Sequence, residues 1–268
     1  MSIKPNIVIS LRKILLPMFI ILLVTQGIAQ STGYADLEKM PVDLETDYAL
    51  SALPPHLRKD ATVYLLDPKK GYYIGRQGSN GFICFVSRTE WEWEEFRNDL
   101  APAISYDAEG ARSIFPIYED VAAMRASGKY IPAQIKDSIK NRILTGVYKA
   151  PARSGISYML SPLMRVYPGM PDDKTIVTVS APHYMFYAPY VADGDLGFKP
   201  GISGPVLNSP GQLVFGEHGA PYGYIIVLAS EKETAIIAHD GRDLMKRLFA
   251  YKPWFAVQPN TKHHGSAD

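Results

Sequence analysis

The side chains most able to do chemistry gather in one aromatic segment and at the far end of the stretch that follows it. His183, Tyr184, Tyr187 and Tyr190 lie within Pro182-His183-Tyr184-Met185-Phe186-Tyr187-Ala188-Pro189-Tyr190-Val191. His218, Tyr222 and Tyr224 lie at or just beyond the far end of residues 193–221, which are rich in Gly and Pro and show no periodicity. Aperiodic connections this long are uncommon in compact domains and often serve as binding loops or lids. Tyrosine suits a ligand wall, with a flat apolar face for packing and a hydroxyl for orientation. His183, Tyr184, Tyr187, Tyr190, His218 and Tyr222 therefore form the expected ligand-binding set. The competing reading is plain packing: the aromatics fill the core and His183 is satisfied by a backbone group.

Other constellations are weaker. Among six histidines none form a His-x-x-x-His pair, and none share a helix face with a glutamate. His183, Glu217 and His218 would make a zinc-type set if they met in space, but nothing in their spacing requires it, so no metal ligands are assigned. Gly201-Ile202-Ser203-Gly204-Pro205 lacks one glycine and the aspartate of the serine-protease pattern, and a turn serine is the simpler reading. The spaced glycines of residues 75–81 sit between strands, where a phosphate cradle would need a following helix. Glu90, Glu92, Glu94 and Glu95 cluster around Trp91 and Trp93. Paired carboxylates on aromatic platforms would suit sugar hydrolysis. An amphipathic helix with the tryptophans inward and the glutamates solvated is the preferred reading. Cys84, the sole cysteine, lies in Phe82-Ile83-Cys84-Phe85-Val86 and reads as a small core residue.

The N-terminus sets the compartment. Lys4, Arg12 and Lys13 precede the apolar run of residues 14–24, and Gly27 and Ala29 offer a small-residue cleavage site before Gln30. That order describes a secretory signal over residues 1–29. The run is too short to span a bilayer, which takes about 20 residues. No cysteine follows it to carry a lipid, and no later segment is apolar enough to span. Removing the segment takes three basic residues and lowers the formal net charge from +1 to −2. A near-neutral, mixed-charge chain argues against a nucleic-acid partner. The expected location is periplasmic or extracellular.

Elements that would position the candidate residues follow from pattern. A short helix is predicted over 45–53, ended by Pro54-Pro55. Strands over 61–66, 71–76 and 81–88, separated by turn residues, read as an antiparallel meander with apolar side chains on both faces. Thr89-Glu90-Trp91-Glu92 has the form of a capping box and predicts a helix over 90–97. A helix over 111–126, opened by Asp107 or Glu109, should bend or split at Pro116. Another is predicted over 133–144, with Gly146 as its stop. Strands are predicted over 156–160, 164–167, 175–180 and 222–229, then a helix over 231–251 that Asp240-Gly241 can interrupt. Strands, helices, strands and a closing helix define an α+β class. The expected organisation is one α+β domain over residues 30–257, with a β-meander, central helices, a second β-rich half and a C-terminal helix. Residues 258–268 read as a flexible polar tail.

Several strings have a familiar look: Ala52-Leu53-Pro54-Pro55-His56-Leu57-Arg58, Gly78-Ser79-Asn80-Gly81-Phe82, Glu90-Trp91-Glu92-Trp93-Glu94-Glu95-Phe96-Arg97-Asn98-Asp99-Leu100, Tyr106-Asp107-Ala108-Glu109-Gly110-Ala111-Arg112 and Pro182 to Tyr190. They resemble stretches of a group of exported bacterial proteins of unknown function. The resemblance implies a bacterial, exported protein and carries no activity, cofactor or catalytic residue. The leading expectation is a non-catalytic domain binding a small, partly apolar ligand. Two alternatives stay open: a hydrolase, metal-dependent or not, using His183 and His218, and a surface interaction module. No cofactor or oligomeric state is read from the sequence.

Overall fold

The computed structural model describes residues 36–167, 175–199, 204–207 and 219–256. The expected signal segment over 1–29 and the tail over 258–268 lie outside the described residues, as do His218, Glu217 and Ser203. The fold is α+β, with an eight-stranded mixed sheet and a two-stranded one.

The chain enters through α1 (Val42–Ser51) and the single turn α2 (Pro55–Arg58), where Pro54 and Pro55 end one helix and start the next. Strands β1 (Thr62–Asp67) and β2 (Gly71–Arg76) form the expected hairpin. β3 (Ile83–Val86) is adjacent too, but on the far side of β1 and parallel to it. The connection explains the order. Ser79 and Asn80 donate backbone N–H bonds to the Asp60 carbonyl, and Gly78 lies so close to Asp60 and Thr62 that a side chain there would strike backbone. The loop is thereby pinned beneath the start of β1 and delivers β3 to its other edge.

β4 (Ala103–Tyr106), which sequence pattern did not single out, pairs with β3. Helices α3 (Ala108–Ser113) and α4 (Phe115–Ser127) follow, split just before Pro116, and then α5 (Pro132–Leu144). β5 (Ile156–Met159) returns to the sheet beside β4, while β6 (Met164–Val166) and β7 (Val177–Val179) make the small sheet. β8 (His183–Tyr187) joins β5, a short β9 (Val206–Leu207) forms the edge, and β10 (Tyr224–Leu228) lies between β8 and β9. The chain closes with α6 (Glu231–Asp240) and α7 (Arg242–Tyr251), interrupted at Gly241 as the Asp-Gly pair predicts.

Both faces of the central strands β1, β3 and β4 are buried, as the apolar residues on both faces of β1 and β3 demand. Ile83 and Phe85 of β3, with Ile104 and Tyr106 of β4, pack toward α4 and α5. Cys84, Val86 and Ala103 face the other way, onto α1 and α7. Each large apolar side chain buried in these layers contributes about 1.5–3 kcal/mol. Among the described residues no helix is long and apolar enough to cross a membrane.

Candidate functional site

The predicted helix over 90–97 does not form. Trp91–Trp93 makes only a 3-10 turn, closed by Glu94 in the left-handed region at φ 56°. Two physical causes are visible. The Thr89 hydroxyl, expected to cap a helix, instead accepts from the Arg125 guanidinium at 2.7 Å. In addition, Trp91 and Trp93 are both buried, and residues two apart point to opposite sides of a helix. The run Glu90-Trp91-Glu92-Trp93 alternates with period two, and that alternation is the sequence signal that a helical reading passes over.

This turn forms one wall of a partly enclosed cavity of about 110 Å³. Thr89, Glu90, Trp91 and Glu92 supply that wall. Ile117 and Tyr118 of α4 and Ile143 of α5 supply the second. The third comprises Ala220, Pro221, Tyr222 and Tyr224, running into β10. Glu90 and Glu92 keep part of their surface accessible, and both stand in the cavity wall rather than on a solvated helix face. The solvated glutamates of the predicted helix are thus corrected at these two positions, because there is no helix to carry them outward.

Burial governs the carboxyl groups. Desolvation first, and then the neighbouring Glu92, push Glu90 up to about 8, although the Trp93 indole N–H donates to it. Desolvation likewise pushes Glu92 up to about 7, offset by its own backbone N–H and by the charge of Lys136. Lys136 itself bonds Glu94, at 2.7 Å. Behind the cavity three phenols form a chain. The Tyr106 hydroxyl lies 3.2 Å from that of Tyr224 and donates to that of Tyr118 at 3.4 Å. Burial raises the pKa of all three.

The expected ligand-binding residues are distributed over several places. Tyr222 lines the cavity; it is 7% exposed, and its hydroxyl has no hydrogen-bond partner among the described residues. Tyr187 stands behind the cavity, its ring 6.1 Å from that of Tyr224. Its hydroxyl, 2.9 Å from each, donates between the Asp107 carboxylate and the Ile156 carbonyl. Tyr190 is exposed and holds φ 60°, and its backbone N–H donates to the Ala220 carbonyl at 2.9 Å, tying this turn to the cavity wall.

Tyr184 projects from the opposite face of β8. Its hydroxyl donates to Glu233 of α6, and its ring packs on Tyr158. His183 pairs with Leu228, whereas Tyr187 pairs with Tyr224. At about 3.3 Å per residue, four residues of strand place His183 roughly 13 Å along from the cavity end. Its Nδ1–H donates to the Ala181 carbonyl at 2.7 Å, and burial lowers its pKa. This is the backbone-satisfied histidine of the packing alternative.

Among the described residues no group of three or more His, Cys, Asp or Glu is placed to hold a metal ion. Cys84 is buried, and burial pushes its thiol up, away from a nucleophilic thiolate. Compared with known proteins, the chain matches no family model, no curated protein and no solved structure. Function is therefore argued from the cavity itself: an aromatic and aliphatic chamber carrying two carboxyl groups, on an α+β scaffold.

Proposed function

We propose that the protein is an exported, non-catalytic binding protein for a small, partly apolar molecule, held in the cavity between Glu90 and Tyr222. One observation carries the reading: a partly enclosed 110 Å³ space in whose wall aromatic and aliphatic side chains stand beside convergent carboxyl and hydroxyl groups, the mixture from which ligand sites are built. Residues 1–29 support the exported part, because their basic, apolar and small-residue order is that of a cleaved signal. On this reading the mature chain begins at Gln30. The binding set moves from His183 and Tyr184 to Glu90, Glu92, Tyr118, Tyr222 and Tyr224, with Tyr187 and Tyr190 as supports.

The test is native mass spectrometry of the exported protein together with a thermal-shift screen of small molecules. Ile143→Phe, which fills the cavity from α5, should abolish every stabilising hit while leaving the circular dichroism spectrum unchanged. Hits that survive Ile143→Phe, or a screen without hits, would overturn the reading.

A second reading is acid–base hydrolysis, favoured by two carboxyl groups in one cavity wall whose pKa values burial raises: one would donate a proton and the other accept one. It requires turnover of a glycoside or ester that Glu90→Gln removes without loss of binding.

A further inference from the structure

We propose that the ligand of this cavity is a small organic ammonium ion, its charge facing Glu90 and Glu92 and its alkyl groups against the aromatic and aliphatic walls. The inference rests on the binding reading above and adds the ligand's charge and size.

Size comes from the volume. An apolar cavity of about 150 Å³ accepts benzene, so 110 Å³ encloses about four or five heavy atoms, enough for a trimethylammonium head, and leaves the rest of a longer molecule to extend through the open side. Charge comes from the walls. Among the described residues two carboxyl groups line the space, and no lysine or arginine does. Trp91, Tyr118, Tyr222 and Tyr224 add aromatic surface on three sides. Aromatic faces attract cations through the ring quadrupole, most strongly where water is excluded, and this is the usual environment for quaternary ammonium groups.

A metal ion fits poorly. A hard divalent cation such as calcium takes six to eight oxygen ligands, and most of the remaining wall is carbon: Ile114, Ile117, Ile143, Ala220 and Pro221.

The carboxyl pair is electrostatically unsatisfied in a way that an organic cation would relieve. The groups around the carboxyl pair are the Trp93 indole, Tyr118 from α4, Tyr222 and Tyr224 from the β10 side, and Lys136 from α5. Among the described residues the cations beside this wall are Lys136, bonded to Glu94, and Arg125, whose guanidinium donates to the Thr89 hydroxyl and to the Arg88 and Arg97 carbonyls. Desolvation consequently holds both carboxyl groups partly protonated near neutrality. A bound cation would favour the ionised forms, lower both pKa values and release protons to solvent.

The probes are choline chloride and its neutral isostere 3,3-dimethylbutan-1-ol. They are titrated calorimetrically into the purified protein at pH 7 in two buffers of different ionisation enthalpy. Choline should bind about tenfold or more tightly than the alcohol, with proton release. Its affinity should rise between pH 6 and 9. Glu90→Gln with Glu92→Gln should erase the preference and the proton release while the fold is retained by circular dichroism. The pH series on the unaltered protein tests the same point if that variant does not fold. Equal binding of both probes, lost in Ile143→Phe, would refute the ammonium inference and leave the binding reading intact. Binding of neither probe refutes the inference, and the small-molecule screen then decides the broader reading.

Discussion

Glu45 gives the sharpest quantitative test of the fold. It sits on α1 at 2% exposure, with Oε1 accepting the Leu66 backbone N–H at 2.9 Å and Oε2 buried with no partner among the described residues. Desolvation pushes its pKa from 4.5 up to about 7, only partly offset by the Leu66 N–H and by the charges of Arg88 and Lys39. Below about pH 4.5 the group is protonated whether the chain is folded or not, and it adds no pH dependence. Between about 4.5 and 7 the unfolded chain gives up this proton and the folded chain keeps it, so stability falls as pH rises. Above 7 the loss is complete. At about 1.4 kcal/mol per pH unit, that interval amounts to about 3 kcal/mol. Glu45→Gln keeps the acceptor for Leu66 and removes the titration. Urea denaturation followed by tryptophan fluorescence should find the two proteins alike at pH 4 and the Gln variant about 3 kcal/mol more stable at pH 8. Contributions from Glu90 and Glu92 cancel in the difference. Parallel stability curves across this range would refute the claim that burial of the Glu45 carboxylate outweighs its partners.

Two further perturbations probe how β8 is locked to α3, and through it the back of the cavity. Replacing helical Gly by Ala ordinarily stabilises by about 0.5–1 kcal/mol. Gly110→Ala should instead lower the melting temperature, because the added Cβ would fall 2.1 Å from the Tyr187 hydroxyl and 2.8 Å from the Tyr106 ring; an unchanged or higher value would contradict this packing. Asp107→Ala removes at once the cap on Gly110 N–H, the acceptor for Ile156 N–H and the partner of Tyr187. It should cost at least about 2 kcal/mol in denaturant unfolding, and a cost under 0.5 kcal/mol would show that these bonds are not made together.

Much of the scaffold is legible from local pattern. Pro54-Pro55, Pro116 and Asp240-Gly241 each mark a helix boundary, because a missing N–H or a capping conformation acts within one turn. The hairpin of β1 and β2 follows from turn residues between alternating strands. β3's place beyond β1 was not legible, since it depends on where the loop over 77–82 is pinned. The cavity was misread for a related reason. Thr89-x-x-Glu92 is a helix start in isolation, and only Arg125, 36 residues away, diverts the threonine hydroxyl from capping. Likewise, nothing local distinguishes Tyr184 from Tyr187, though they stand on opposite faces of one strand.

By itself the sequence determined the α+β class and most helix and strand positions, because these depend on short-range periodicity and turn chemistry. Tertiary structure alone decided that Glu90 and Glu92 face Tyr222 and Tyr224 across a cavity while His183 lies at the other end of β8. The carboxyl groups acquire their chemistry from desolvation, and desolvation is set by what folds over a residue, not by the residues beside it in the chain.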